Sequence, residues 1–393
     1  MKFKCFILLV IAIAAVKNIP AQSLRPGSIA AERISFWQHR GLLWKLSPLS
    51  QPHAVENALL TMQIRAFDEE YWDYLSRYPI KPWQLGLWVE SENYYQDAAA
   101  HTGYLSRQRM SFHIPVTSWL SVTNTVYANN RLDEDPNYMG KRQNSLTGYT
   151  ERAVISAHYK GFEAHLGRDH LVWGPGRDAA LLISDHCRPM DQVRLGYRRS
   201  WFHYEFFTAT LDPSRFSTKE GPARQRRYLS GHRLEIQPLK HLVFGISEAI
   251  LFAEPDAGIN LALFNPVIFY HGVQLNGPDT GNTVGSLNIA WMPTSYWTLY
   301  GDLMIDDIQL ESSVPGDREP NAYGALVGTV FSDPFDISGA ETTIEYTRVT
   351  NRTYNGQGGP WERWLHRREP LGHRMGNDFD RFLFGIEYWP VFS

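Results

Sequence analysis

Cysteine is nearly absent from this chain, whose 393 residues hold only Cys5 and Cys187. Cys5 precedes the first apolar run, so the part that follows that run keeps one thiol. An intramolecular disulfide is excluded there, and a cysteine-based metal cluster is disfavoured with it. An excess of one charge is lacking too. The formal net charge is −3, which gives no bulk attraction to nucleic acid or to an anionic membrane surface. After residue 21 no apolar run reaches the ~20 residues that a membrane-spanning helix needs. A chain of this kind can cross a membrane only as a closed β-barrel, which satisfies every backbone group between strands. Enzyme signatures are missing as well: there is no H-E-x-x-H, G-x-S-x-G or P-loop, and no G-x-G-x-x-G after a strand. Ser184-Asp185-His186 has the residue types of a triad, but adjacent positions on one segment cannot converge on a substrate. His170 and His186 could meet in a loop, but without a third ligand they are weak evidence for a metal. The expectation is a protein without catalytic residues, cofactor or metal, with a membrane-embedded hydrolase kept as a minor alternative.

What is present begins at the N-terminus. Lys2 and Lys4 precede an uncharged apolar stretch, Phe6 to Val16, and Ala21-Gln22-Ser23 follows with small and polar residues. That is the layout of a secretory signal peptide over residues 1–21. Residues 22–80 then read as a helical unit. Ser50 and Pro52 can start a helix whose apolar stripe runs through Val55, Leu59, Ile64, Phe67, Tyr71 and Leu75, and Pro79 and Pro82 end it. The unit is too small to fold alone, so it is expected to dock on the next domain and plug its periplasmic side.

From Trp83 to the C-terminus the period of the pattern becomes two. About fourteen alternating runs follow one another between residues 82 and 391, as in Leu287-Ile289-Trp291. Their connections alternate between short (around Pro115, Lys160, Ser200, Lys240, Thr294 and 332–337) and long (91–104, 129–147, 169–190, 212–226, 252–284, 306–322 and 351–380). Outer-membrane barrels have short periplasmic turns, long external loops and an even strand number. Residues 81–393 are therefore expected to form an antiparallel transmembrane barrel of 14–18 strands with both termini periplasmic. Thirteen Trp and twenty Tyr suit the two interfaces of a bilayer. The last run (Phe382, Phe384, Ile386, Tyr388) carries Phe392 beside the terminus and resembles the signal read by barrel-assembly machinery. Pro390 is unusual there, because it cannot donate to a ladder.

Two loops carry candidate chemistry. In LGRDHLVWGPGRDAALLISDHCRP, residues 166–189, Gly174-Pro175-Gly176 forces a turn after Trp173. Arg168, Arg177 and Arg188 bracket the loop, with Asp169, Asp178 and Asp185 as candidate partners; the favoured reading is a folded loop that plugs or braces the barrel. The loop 351–380 holds Tyr354, Trp361, Trp364, Arg363, Arg367 and Arg368, with His366 and His373 nearby. Flat rings stack on sugars, and arginine pairs with uronate or pyruvate carboxylates. This loop is the candidate for sugar contact, an aromatic belt being the plainer alternative.

The ordered set Gly167-Arg168, Trp173-Gly174-Pro175-Gly176, Leu181 to Ser184 leading into Arg188-Pro189, Ser247-Glu248-Ala249, and Leu263-Phe264-Asn265-Pro266 resembles the Wzi-type capsule assembly proteins of Gram-negative outer membranes. The resemblance implies a barrel of about 18 strands closed by N-terminal helices. A further strand pair at 261–264 and 267–270 would bring the count closer to that. It also implies a lectin-like, non-enzymatic role in retaining capsular polysaccharide, with the motif residues lining the lumen. The expected partners are that polymer, outer-membrane lipid and the assembly machinery, with no nucleic acid and a monomeric state. A porin-like channel is the alternative.

Overall fold

The computed structural model describes residues 86–388, apart from 97–102, 118, 133–137, 139, 142–146, 219–220, 255–260, 277–280, 308–320 and 357–358, together with residues 5–6 and 9–10. The helical unit expected at 22–80 lies outside the described residues. So does nearly all of residues 1–21, the expected signal peptide; Cys5–Phe6 and Leu9–Val10 lie antiparallel along the edge of the first long strand.

Among the described residues there are fourteen long strands: β1 (Gly86–Gln96), β2 (Gly103–Pro115), β3 (Leu120–Asn129), β4 (Thr147–Tyr159), β5 (Phe162–Asp169), β6 (Met190–Arg198) and β7 (Phe202–Thr218). They continue as β8 (Gly221–Leu239), β9 (Leu242–Glu254), β10 (Gly281–Thr294), β11 (Trp297–Asp307), β12 (Ala322–Ser332), β13 (Ala340–Val349) and β14 (Phe379–Tyr388). Each pairs antiparallel with its sequence neighbour in one continuous meander.

The meander curls on itself. Trp173 bonds to Glu205 on β7, and Arg177 bonds to Glu345 on β13 and Glu387 on β14. Residues 173 to 177 span at most about 14 Å of chain. In a flat sheet β7 and β14 would stand about 34 Å apart, at ~4.8 Å per strand step. One short segment reaches both because the sheet closes into a barrel around it.

The two faces of the wall are inverted relative to a soluble protein. On β6, Arg194 is 1% exposed while its neighbour Leu195 is 47% exposed. Along β11, Thr298, Tyr300 and Asp302 are buried and Leu303 is exposed. Charged and polar groups point inward and aliphatic groups outward, as hydrocarbon demands. Exposed rings collect at the short turns: Tyr159, Phe162, Trp201, Tyr296 and Phe335. They form the aromatic girdle of one membrane interface.

The structure corrects two expectations about the connections. Residues 212–226 are not a loop. Apart from residues 219–220, β7 and β8 run through them and stay paired up to Thr218 and Gly221, although the run from Ser214 to Gln225 is too polar to show a period of two. The suggested extra strand pair at 261–270 is helical instead, with a 3-10 turn at Leu261–Phe264 and α1 at Tyr270–Asn276. Asn265-Pro266 breaks the segment and the ladder finds no edge there, since β9 already pairs with β10.

The lumen is filled from within. Leu171, Trp173, Leu181, Leu182, Trp364 and Leu371 form a core with inward side chains of the wall. Trp173 is fully buried between Phe207, at 5.0 Å edge to face, and Gly231, where a Cβ would stand 2.9 Å from its ring. Truncation by Trp173→Ala should lower stability by about 3–5 kcal/mol; urea unfolding of the refolded barrel in detergent measures it, and a change under 1 kcal/mol would mean that the plug bears no load.

Candidate functional site

The segment 170–189 enters the lumen as a strap. Trp173 donates its backbone N–H to Ile183 O at 2.9 Å and its indole N–H to Glu205 at 2.7 Å. Gly174 follows at φ 141°, a region costly for other residues, and a Cβ there would stand 2.9 Å from Asp302 Oδ2. Gly174-Pro175-Gly176 is thus the turn that lets the strap pass the wall. The braces run mostly to the wall rather than between the loop's own charges, as the sequence reading had paired them. Arg168 holds Asp191 through two bonds of 2.7 and 2.8 Å, and Asp169 is held by Arg152 at 2.7 Å. Asp178 meets Arg381 and Arg374, and Asp185 accepts the Ser184 hydroxyl.

The loop 350–378 folds onto this strap. Ser184 N–H bonds Leu371 O, Leu371 N–H bonds Trp364 O, and Trp364 N–H bonds Tyr354 O, a short internal ladder. Tyr354 donates its hydroxyl to Leu181 O at 2.5 Å, and Trp364 donates its indole N–H to Leu182 O at 2.9 Å. Both rings are buried, Trp364 completely. Sugar stacking was expected of them, but in this position they pack the plug. Each ring's polar handle meets a strap carbonyl that would otherwise be orphaned. Trp361 is half-buried, and its carbonyl accepts from Arg227 Nε at 2.7 Å.

What stays near solvent is basic. Arg363 and Arg368 are exposed and Arg367 half-buried. Arg367 and Arg368 sit at φ 51° and 71°, a strained pair of left-handed residues of the kind that concentrates at ligand sites. Asp212 holds the strain in place: it accepts the Arg367 N–H at 2.6 Å and faces His366 Nδ1 at 3.4 Å. Burial and the guanidinium groups of Arg168 and Arg188 push Arg367 below its ordinary pKa, and Asp212 and Asp191 oppose them. Arg168 at the end of β5, Arg188 at the end of the strap and Arg367 in the last long loop are thus near enough on the long-loop side to act on one another's charge. Arg188 lies over the Tyr149 ring at 4.1 Å and near Tyr138 at 5.7 Å, and its backbone N–H bonds Glu369. Tyr138, Tyr149, Asp191 and Asp212 escaped the sequence reading, since nothing in their spacing links them to residues 168, 188 or 367.

The remaining motif residues lie elsewhere. Gly167 is within β5, where a Cβ would meet Ala153 O. Pro189 leads the strap into β6. Glu248, Asn265 and Pro266 were expected in the lumen, but they stand on the outside of the wall. Glu248 shares its face with the outward Ile246, and Asn265 and Pro266 are exposed on the loop that covers it. The strand period decides this: Ser247 points inward to Arg233, so Glu248 points out.

The family profile for capsule assembly protein Wzi matches residues 89–390. The chain belongs to that family. Its barrel is similar to the solved Escherichia coli Wzi, described as a carbohydrate-binding β-barrel of the outer membrane involved in group 1 capsule assembly. The two share 13% identity at a TM-score of 0.59, covering 94% of this chain and 81% of that one. OpdP of Pseudomonas aeruginosa (13% identity, TM-score 0.37, 75% and 79% covered) and the outer-membrane protein OmpT of Vibrio cholerae (11%, 0.34, 78% and 98%) are more distant. A comparison with curated proteins returns no match.

Within the loop of this Wzi-family chain, the left-handed turn at Arg367 is held by the Asp212 carboxylate. Asp212→Ala should release it, so trypsin should cleave after Arg367 and Arg368 at least several-fold faster than in the parent; equal rates would show that the loop is held elsewhere. His373 makes a second expectation. Burial lowers it from 6.5 to about 4, so it favours the folded loop above pH 6.5, and that contribution is lost as pH falls through 6.5 towards 4. Cleavage of the loop by an acid-tolerant protease should rise over this interval, and less so in His373→Gln.

Proposed function

We propose that the protein sits in the outer membrane with its long loops outward, and there binds and retains an acidic capsular or extracellular polysaccharide without catalysing a reaction. Membership of the Wzi family supports the polymer. The convergence of Arg168, Arg188 and Arg367 supports its charge. Guanidinium groups crowded on one rim repel one another, and a carboxylate lying across them relieves that repulsion while taking bidentate bonds. Asp191 and Asp212 offset part of the charge and hold the geometry. The Tyr149 ring under Arg188 provides an apolar platform, with Tyr138 beside it.

The hydrolase alternative finds little support, since Ser184 is 1% exposed inside the plug and its hydroxyl is spent on Asp185. The filled lumen likewise favours surface binding over a wide channel. Replacing Arg367 or Arg188 by Gln should weaken binding of an acidic polymer about tenfold or more, from the 1.5–3 kcal/mol of a charged hydrogen bond. Surface plasmon resonance against the native and the carboxyl-reduced polymer measures this. Equal affinity of variant and parent, or equal losses on both polymers, would refute the acidic site.

A further inference from the structure

The loop between β9 and β10 lies against the outer wall of the barrel. Its residues Leu263, Phe264, Ile268, Tyr270 and Val273 pack on Tyr228, Ile250 and Phe252, which point away from the lumen. Beside these apolar groups the strip it covers carries polar ones, where a membrane wall should be apolar throughout. Ser230 and Thr208 bond across the outer face, and His232 stands 3.3 Å from Glu248 halfway along β9. The loop satisfies this strip. Tyr270 and His271 donate the N–H groups at the start of α1 to Glu248 at 3.0 and 2.7 Å, and the Tyr270 ring stacks on His232 at 4.9 Å. It also reaches far down the wall, where the Tyr204 hydroxyl donates to Pro266 O. Tyr204 is two residues from the start of β7 and close to Trp201 of the aromatic girdle.

We infer that residues 261–276 form a flap embedded in the bilayer, with Val267 and Phe269 in contact with lipid acyl chains. Three observations carry this. Val267 and Phe269 are 79% and 66% exposed, and the outward Ile246 and Phe244 of the wall strand that the loop packs on are exposed too, at 54% and 41%. The flap is thus continuous with the lipid-facing surface of the wall. Its depth is fixed by Tyr204 below and Glu248 at mid-strand. Its backbone is largely satisfied internally, as irregular chain at that depth requires: Asn265 N–H bonds Ala262 O, Val267 N–H bonds Asn265 Oδ1, Ile268 N–H bonds Asn265 O, and Val273 N–H bonds Phe269 O. The Ser-Glu-Ala and Leu-Phe-Asn-Pro motifs are then two halves of one device, in which an outward acid in hydrocarbon is tolerated because this loop caps it.

The test uses Val267→Cys and Phe269→Cys in a Cys187→Ala background, each labelled with bimane and reconstituted in phosphatidylcholine vesicles. Brominated acyl chains should quench both labels as strongly as one at Leu195→Cys, and aqueous iodide should leave them bright. Strong iodide quenching with weak bromine quenching would overturn the proposal. So would protection from both quenchers together with a disulfide-linked dimer of the unlabelled cysteine variant, which would make the flap a contact between two copies. In Phe269→Cys, the added change Glu248→Ala should cut bromine quenching by at least half. Should that double variant fail to assemble, the single Val267→Cys label still decides the matter.

Discussion

Hydrocarbon against one face of a sheet dictates everything behind it. The outward side chains must be apolar, so the strand period sends polar and charged groups into the lumen. Enclosed there, away from bulk water, they need partners. The wall supplies many of them as cross-strand pairs, such as Arg152 with Asp169 and Arg198 with Glu163, and others along one strand, as Arg233 with Glu235. The strap at 170–189 supplies others: the Trp173 indole reaches Glu205, and Arg177 reaches β13 and β14. The plug is therefore the inner lining of the barrel, shaped by the same pressure that made the outside greasy.

The proposed binding rim follows from the plug. The strap surfaces at Arg188, and the last long loop returns to it through Trp364 and Leu371. Where these two meet the ends of β5 and β7, arginines from distant parts of the chain are set side by side. A rigid floor holds them, fixed by buried rings and by Asp212, so the proposed site would cost little entropy to order on binding a polymer. Flexibility would work against retention of a long chain by many weak contacts.

Much of the barrel was legible in the sequence, because alternation is local. Leu287, Ile289 and Trp291 declare an outward face without any knowledge of their neighbours, and all fourteen long strands fall near the expected runs. The unexpected hairpin of β7 and β8 was hidden because a solvated ladder beyond the membrane loses the apolar half of the pattern. The site was only partly legible. Arg168, Arg188 and Arg367 were singled out separately, yet nothing local told that they converge, or that Trp364 and Tyr354 would turn inward to cap strap carbonyls. Glu248 misled for a similar reason: an outward acid in a membrane strand breaks the rule of alternation unless another segment covers it, and the cover lies about twenty residues away in sequence.

The central claim is that this Wzi-family barrel holds a polysaccharide at the cell surface. The most direct measurement is the ratio of cell-bound to shed polymer after deletion of the gene in its own host. The account predicts unchanged total polymer with most of it moved into the medium, and retention restored by the parent but reduced with Arg367→Gln. Unchanged retention in the deletion strain would contradict it.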